Sequence, residues 1–145
     1  GINITCIPGP SAIITALALS GLPSSKFTFK GFLPKKKCER EKILYEISKS
    51  DITTILFESP HRLKKSLNEL KCFLGGEREI QISRELTKKF EEHIGNNINE
   101  VINHFEGKEV LGEFTLVIKG ISKQKETFEV NELELKKELI DLYKK

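Results

Sequence analysis

ITTILFESPHRL, at residues 52–63, joins a strand pattern directly to a helix pattern. Ile52 to Phe57 is β-branched and apolar, with no polar alternation at its end, which predicts an interior strand. From Arg62 to Leu74 the apolar residues recur at helical spacing, until Gly75 and Gly76 end the pattern. A buried strand followed at once by an amphipathic helix is typical of α/β proteins, in which helices cover a sheet.

The same alternation continues on both sides of this stretch. Further strands are predicted at Ile2–Ile7, Phe27–Phe32, Glu79–Ser83 and Phe114–Ile118. Further helices are predicted at Ala12–Leu19, Glu39–Ser48 and Asn99–Phe105. The first of these helices is apolar on nearly all sides, so we expect it to be largely buried. Together the elements predict one α/β domain with a single sheet covered by helices.

The composition is that of one soluble domain. The chain has 145 residues, of which 38% are hydrophobic and 31% are charged, values typical of globular proteins rather than disordered or membrane ones. Its 24 basic and 21 acidic residues permit nucleic-acid binding without arguing for it. The clearest local excess is Lys35–Lys37, followed by Arg40 and Lys42. That segment is either a solvated loop and helix start or a phosphate-contacting loop, and both interpretations stay open.

Neither a metal site nor a membrane span is indicated by the residue pattern. The three cysteines, Cys6, Cys38 and Cys72, form no C-x-x-C pair and the three histidines are scattered, which disfavours zinc. Cys6 and Cys72 lie in apolar patterns, so we expect both to be reduced core thiols. The longest apolar stretch, Ser11–Leu19, is far shorter than the ~20 residues of a membrane helix.

The two ends of the chain carry separate signals. The chain runs from Gly1 straight into a strand pattern with no methionine before it, which fits a piece of a longer protein or a processed terminus. Residues 1–120 hold the patterns of the sheet and its helices, and from residue 121 the sequence becomes charged and of low complexity. We expect residues 121–145 to be a charged linker and an amphipathic helix, the latter at Val130–Tyr143.

Two polar clusters follow predicted strands. Pro8–Ala12 is a tight turn before a helix, where exposed N–H groups and a small residue would let a ligand approach; equally, Ser11 simply caps the helix. The second cluster follows the strand at Ile52–Phe57, at the sheet edge where α/β proteins bind ligands. It contains a hydrogen-bond acceptor in Glu58, a titratable group in His61 and a guanidinium with several donors in Arg62. The alternative is that Ser59 caps the next helix and the charges are solvated.

Two further clusters lie later in the chain. Ser83–Glu92 is dense in donors and acceptors and contains an aromatic residue, which suits phosphates and ribose hydroxyls. The plain alternative is a surface loop with local ion pairs, each contributing little. Gly112–Thr115, at the start of the last strand, is by itself only a bulge or turn.

In this order the segments resemble the 16S rRNA cytidine 2′-O-methyltransferases of the tetrapyrrole methylase superfamily. The matching segments are Pro8–Ala12, Ser20–Pro23, Gly31–Pro34, Leu56–Leu63, Arg84–Glu92 and Gly112–Ile118. The resemblance covers about residues 1 to 120. It implies a mixed sheet flanked by helices, the carboxy-terminal domain of that fold and one half of its cofactor cleft.

What the resemblance implies for function is a cytoplasmic, homodimeric enzyme that uses S-adenosylmethionine to methylate 16S rRNA in the small ribosomal subunit. The family binds this cofactor between two α/β domains, and its glycine-rich segments lie in the amino-terminal half. Those segments do not occur here. The resemblance therefore implies that the missing amino-terminal half is a partner and that this chain alone is inactive.

The resemblance also suggests individual residues. By position, the cofactor contacts map to Ser11, Ala12, Phe57, Glu58, Leu86 and Thr115. For RNA phosphates our hypothesis names Arg62, Arg84 and Lys88. A ribose hydroxyl reacts only when its proton is removed, and Glu58 and Glu85 are the catalytic candidates, which would orient the ribose or the cofactor. No metal is implied.

Two other functions stay open from the sequence. The first is a different methylase of the same superfamily, acting on a tetrapyrrole or another small molecule. The second is a non-catalytic domain that binds RNA or dimerises. Methyl transfer that depends on RNA would separate the leading hypothesis from both.

Overall fold

The computed structural model describes residues 9–121, so the predicted strand at Ile2–Ile7, Cys6 and the predicted helix at Val130–Tyr143 lie outside it. The elements, in chain order, are α1 (Ala12–Ser20), β1 (Phe27–Phe32), α2 (Lys37–Lys49), β2 (Thr53–Glu58), α3 (Pro60–Leu74), β3 (Glu79–Arg84), β4 (Glu92–Asn97), α4 (Ile98–Phe105) and β5 (Phe114–Ile118). Every helix and strand predicted within this range is present, with ends that differ by at most two residues.

The strands form one mixed sheet in the order β1-β2-β5-β3-β4. β1 and β2 are parallel, whereas β5 runs antiparallel to β2 and β3, and β4 antiparallel to β3. The predicted α/β class and the interior position of β2 are confirmed. The last strand of the sheet, β5, lies at its centre and is buried along its whole length.

Alternate residues of the strands point to opposite faces of the sheet, and each face has its own core. On one face the helices α2, α3 and α4 pack against β2, β3, β4 and β5 through residues such as Leu44, Leu67, Val101 and Leu116. On the other face α1 alone packs on the sheet, where Ala16 and Leu17 meet Ile55 and Val117. The two faces are therefore covered very unequally by the helices at residues 9–121.

The prediction that α1 is largely buried is wrong. Only Ala16 and Leu17 are buried, while Ile14 and Leu19 are 53% and 54% exposed. A helix is roughly 10 Å across and strands lie about 4.8 Å apart, so one helix covers about two of the five strands and keeps its far side in solvent. The apolar side chains on that far side have no counterpart among the described elements.

β4 was not predicted, because its sequence EHIGNN is poor in strand-forming residues. It is an edge strand, and Gly95 lies so close to the side chain of Gln81 on β3 that a Cβ would overlap it. Pairing with β3, rather than local propensity, therefore makes the strand.

Cys72 is exposed and not a core thiol as predicted, because it falls outside the buried α3 stripe of Leu63, Leu67 and Leu70. Cys38 is exposed as well. Among the helices of residues 9–121, none is long and apolar enough to cross a bilayer.

Candidate functional site

A pocket of about 390 Å³ opens at the edge of the sheet where β2 ends and β5 begins. It is lined by Ala12, Phe32, Phe57, Glu58, Ser59, Pro60, Glu113, Phe114 and Thr115. These residues come from four separate segments of the chain. The volume lies within the range typical of small-molecule sites, about 300–1,000 Å³.

Strand direction brings the pocket residues together. Because β1 and β2 are parallel, their carboxyl ends meet at the same edge, and Phe32 lies opposite Phe57. Because β5 is antiparallel to β2, it starts where β2 ends, which sets Thr115 opposite Phe57. The ring centroids of Phe32 and Phe57 are 5.7 Å apart, and Phe29 meets Phe57 edge-on at 4.9 Å. One wall of the pocket is thus aromatic.

The start of α1 forms another part of the wall. The backbone N–H groups of Ile14 and Thr15 donate to the hydroxyl and carbonyl of Ser11, at 3.5 and 2.9 Å. Ser11 therefore caps the helix, as one of the two interpretations had it, and Ala12 lines the pocket. Ser11 itself is not among the lining residues.

Glu58 borders the pocket as a buried carboxylate, 2% exposed. Its Oε1 accepts the backbone N–H of Ser59 at 2.8 Å, and its Oε2 accepts the hydroxyl of Ser66 on α3 at 2.5 Å. The Arg62 guanidinium lies 3.7 Å from Oε1. Glu58 thus ties the end of β2 to α3 and places a carboxylate in the pocket wall.

Arg62 is not among the pocket residues and donates to the carbonyl of Leu33 at 2.7 Å. It therefore connects the first turn of α3 to the segment after β1. His61 is exposed and is not among the pocket residues. Of the predicted cluster that follows β2, Glu58 lies in the pocket wall, Arg62 supports it, and His61 faces solvent.

The segments after β3 and before β5 form one hydrogen-bonded unit. The N–H of Glu85 donates to the carbonyl of Glu113 at 3.0 Å, and the N–H of Glu113 donates to the Glu85 carboxylate at 2.8 Å. The ammonium of Lys88 lies 3.2 Å from the Glu85 carboxylate and 2.9 Å from that of Glu113. The clusters at Ser83–Glu92 and Gly112–Thr115 are therefore one structural feature.

These contacts shift the titration of both charged partners. The N–H of Glu113, and then Lys88, hold the pKa of the Glu85 carboxyl below its usual value, because both stabilise the charged form. Hydrogen bonds to Glu113, and then to Glu85, raise the pKa of the Lys88 ammonium. The charged form of Lys88 is therefore stabilised, and it is already paired with the carboxylates of Glu85 and Glu113.

Two other predicted residues, Arg84 and Leu86, lie next to this unit in the sequence. Arg84 donates to the carbonyl of Leu111 at 2.7 Å and pairs with Glu92 at 3.2 Å. Leu86 packs against the small core under α1, beside residues such as Leu17, and does not line the pocket.

Four of the six residues predicted for a cofactor thus line a single pocket: Ala12, Phe57, Glu58 and Thr115. Phe32 is a pocket residue that the sequence patterns had not indicated. The available signal was an aromatic residue at the carboxyl end of a strand next to β2, since that edge collects ligand contacts. Glu113 and Phe114 were named only as part of a motif.

The arrangement favours one kind of ligand. Aromatic rings beside a buried carboxylate suit a flat organic molecule with a positive charge. Within residues 9–121, no three acidic, histidine or cysteine side chains group in a way that could hold a metal ion.

Solved structures with the same fold include the methyltransferase CobJ, at 18% identity and a TM-score of 0.58, and the cobalt precorrin-4 methyltransferase CbiF, at 14% and 0.59. The match to CobJ covers 78% of this chain and 49% of that one; for CbiF the shares are 78% and 50%. At these identities the likeness shows the fold alone.

Curated relatives are more similar in sequence. The protein named ribosomal RNA small subunit methyltransferase I of Thermotoga maritima is 43% identical over 120 residues, which are 83% of this chain and 53% of that protein. The protein of the same name in Vibrio cholerae is 45% identical over 122 residues, 83% of this chain and 42% of that protein. The chain spans about half the length of the curated relatives it matches.

The family model for tetrapyrrole (corrin/porphyrin) methylases matches residues 1–102, more than half of the 145-residue chain. This match, the identities above 40% and the mixed sheet agree, and the chain belongs to the tetrapyrrole methylase family.

Proposed function

We propose that this chain supplies one half of the cofactor cleft of an S-adenosylmethionine-dependent methyltransferase, and that the complete protein methylates the ribose 2′-hydroxyl of a cytidine in 16S rRNA. The observation that carries the proposal is the pocket between β2 and β5. Its residues come from the segments by which the chain resembles rRNA methyltransferases, and the curated relatives bear that name.

The pocket residues fit this cofactor chemically. S-adenosylmethionine carries a flat adenine and a sulfonium cation. Phe32 and Phe57 offer ring faces for either group, and the carboxylate of Glu58 favours a cation nearby. Ala12 leaves room for close approach, and Thr115 offers a hydroxyl. Ser11 and Leu86 would act indirectly, by holding the start of α1 and the floor beneath it.

When bound, the cofactor supplies a methyl group on a good leaving group, so the protein mainly has to position the acceptor. Glu58 and Glu85, the two carboxylates considered for catalysis, already accept hydrogen bonds from Ser59 and Ser66 and from Glu113. We propose that both position the pocket walls. The group that removes the ribose proton would then come from elsewhere in the complete enzyme.

RNA contact by Arg62, Arg84 and Lys88 is part of the same proposal. Each of the three would have to exchange an internal partner for a phosphate: the carbonyls of Leu33 and Leu111, or the carboxylates beside Lys88. The complete protein is proposed to be a cytoplasmic homodimer in which the missing amino-terminal half closes the pocket. The isolated chain would then lack activity.

A chimera tests the proposal. In the Thermotoga maritima relative, the matching part is replaced by residues 1–120 of this chain. The chimera is incubated with methyl-labelled S-adenosylmethionine and small ribosomal subunits that lack the modification. We expect labelled 2′-O-methylcytidine after digestion of the RNA. The matched control is the same chimera with Phe57→Ala, whose product should fall at least tenfold.

Two outcomes would contradict the proposal, provided that the chimera melts cooperatively. One is methylation of uroporphyrinogen or another tetrapyrrole in place of RNA, which would favour the small-molecule alternative. The other is a chimera that binds the cofactor and methylates neither, which would favour a non-catalytic role.

A further inference from the structure

The segment at residues 33–37, here called the lysine loop, is held in shape by Arg40. Arg40 is 8% exposed, and one guanidinium nitrogen donates to the carbonyls of Pro34 and Lys35 at 3.2 and 3.0 Å. Its other nitrogens face the Glu69 carboxylate on α3 at 3.0 and 2.9 Å, a two-pronged ion pair. Such pairs fix geometry as well as charge. The backbone that carries the lysines is thus anchored to α3.

The lysine loop is also tied to the pocket. Arg62 holds the carbonyl of Leu33 and lies beside Glu58 in the pocket wall. Phe32, which lines the pocket, directly precedes the loop. Three residues span at most about 11 Å, so the backbone of Lys35 lies within that distance of Phe32.

The side chains of the three lysines in the lysine loop are exposed and can bind an anion from solution. Those of Lys36 and Lys37 are 82% and 81% exposed, and each has only a local ion pair, with Glu39 at 3.3 Å and Glu41 at 3.7 Å. Exposed pairs of this kind contribute about 0–1 kcal/mol, so a stronger anion displaces them readily. Lys35 is exposed and makes no ion pair within residues 9–121. By contrast, Arg62 and Arg84 donate to backbone carbonyls and Lys88 is paired with two carboxylates.

We infer that the lysine loop binds the phosphate backbone of the RNA substrate beside the pocket, through Lys35, Lys36 and Lys37. This inference rests on the proposed function and goes beyond it, since it adds a phosphate-binding surface to the contacts proposed for Arg62, Arg84 and Lys88. Arg40 is a positioning residue here, because it fixes the loop without needing to touch the RNA. A surface that only kept the protein soluble would not need its backbone anchored by two arginines.

Salt dependence of RNA binding tests the inference. Binding of a synthetic hairpin from the 16S rRNA decoding region to the full chain is measured between 50 and 200 mM salt by fluorescence anisotropy. The triple variant Lys35→Gln, Lys36→Gln, Lys37→Gln should lower affinity about tenfold or more, and flatten the slope of log affinity against log salt by about 2, since each lost phosphate contact removes about 0.7–0.9.

The control triple variant is Lys26→Gln, Lys49→Gln, Lys71→Gln, which removes the same charge at the opposite end of the domain. Lys49 ends α2, about 18 Å along the helix from Lys37. The control should keep most of the affinity and the slope. Melting curves of both variants check that they fold.

Equal losses in the two triple variants would overturn the inference, because only net charge would then matter. The inference would also be overturned if polyglutamate displaced the labelled RNA as well as unlabelled RNA does at the same concentration of negative charge. That result would point to an acidic protein partner. If the chain bound no RNA while the chimera methylated RNA, the inference would be overturned and the proposed function would still hold. Failure of methyl transfer to RNA is the separate result that removes the function itself.

Discussion

The backbone N–H of Glu113 donates a 2.8 Å hydrogen bond to the carboxylate of Glu85, 28 positions earlier in the chain. The N–H of Glu85 returns a bond to the carbonyl of Glu113 at 3.0 Å. This reciprocal pair fixes the start of β5, where Phe114 and Thr115 face the pocket. The shape of the pocket therefore depends on a residue that does not line it.

Gly112→Ala should disturb this pair. Gly112 has φ of +101°, and a Cβ there would lie 2.7 Å from Cγ of Glu85, so the substitution strains the backbone and displaces the carboxylate. We expect a loss of about 1–3 kcal/mol in the free energy of unfolding, measured by urea titration. Gly107→Ala is the control, because Gly107 has φ of +68° and open space around it. Equal losses in both variants would mean that contact with Glu85 is unimportant.

Glu85→Gln should change how stability depends on pH. Because the folded-state pKa of Glu85 is below the ordinary value of 4.5, the unfolded chain binds the proton first as pH falls. The stabilisation is therefore fully present above about pH 4.5 and is lost as pH drops through the folded-state pKa. The gap in unfolding free energy between wild type and variant should be largest near neutral pH and shrink in acid. A gap that stayed constant with pH would show that the charge of Glu85 contributes nothing.

Ser66→Ala should leave one oxygen of the buried Glu58 carboxylate without a donor. Within residues 9–121 every buried side-chain polar atom has a hydrogen-bond partner, so this variant would create an exception. We expect destabilisation of about 2–3 kcal/mol, because the orphaned acceptor is charged. Ser48→Ala, where the hydroxyl donates to the carbonyl of Tyr45 at an exposed site, should stay within about 0.5 kcal/mol. Similar small effects in both would argue against a structural role for the Glu58 carboxylate.

Phe32→Ala separates ligand binding from stability. Phe32 is 58% exposed, so its removal should alter unfolding little. Loss of an aromatic surface against an adenine should still weaken cofactor binding by the chimera about 5- to 150-fold, from about 1–3 kcal/mol of stacking. Tyr45→Ala, 59% exposed and outside the pocket, is the control for calorimetric titration. Unchanged affinity in Phe32→Ala would remove Phe32 from the site.

Local patterns predicted the elements well where side-chain periodicity matched the final burial. Ile52–Phe57 was identified as an interior strand because its apolar run needs cover on both faces, which β2 has. Sheet order was beyond such reasoning: nothing local in Phe114–Ile118 says that it inserts between β2 and β3. β4 was missed for the same reason, since its pairing with β3 outweighs the poor propensity of Gly95 and Asn96.

Part of the pocket lining could be predicted from the sequence, whereas its contacts could not. Phe57 and Glu58 could be placed at a ligand-binding edge because they end an interior strand. The partners of Arg84 and Lys88 could not, because Leu111 and Glu113 lie 25 or more positions away and meet them only through the antiparallel pairing of β3 and β5. Charged residues that have no evident partner in the sequence, such as Arg84 and Lys88, can thus be paired within the fold.

We propose that this chain holds one side of a cofactor cleft, and calorimetric titration of S-adenosylmethionine is the decisive measurement. The cofactor is titrated into the chain alone and into the chain mixed with the remaining part of the Thermotoga maritima relative, with association of the two parts checked first. We expect little or no binding by the chain alone, binding by the associated pair, and loss of that binding with Phe57→Ala. Tight binding by the chain alone, or equal binding by the pair with and without Phe57→Ala, would refute the proposed cleft.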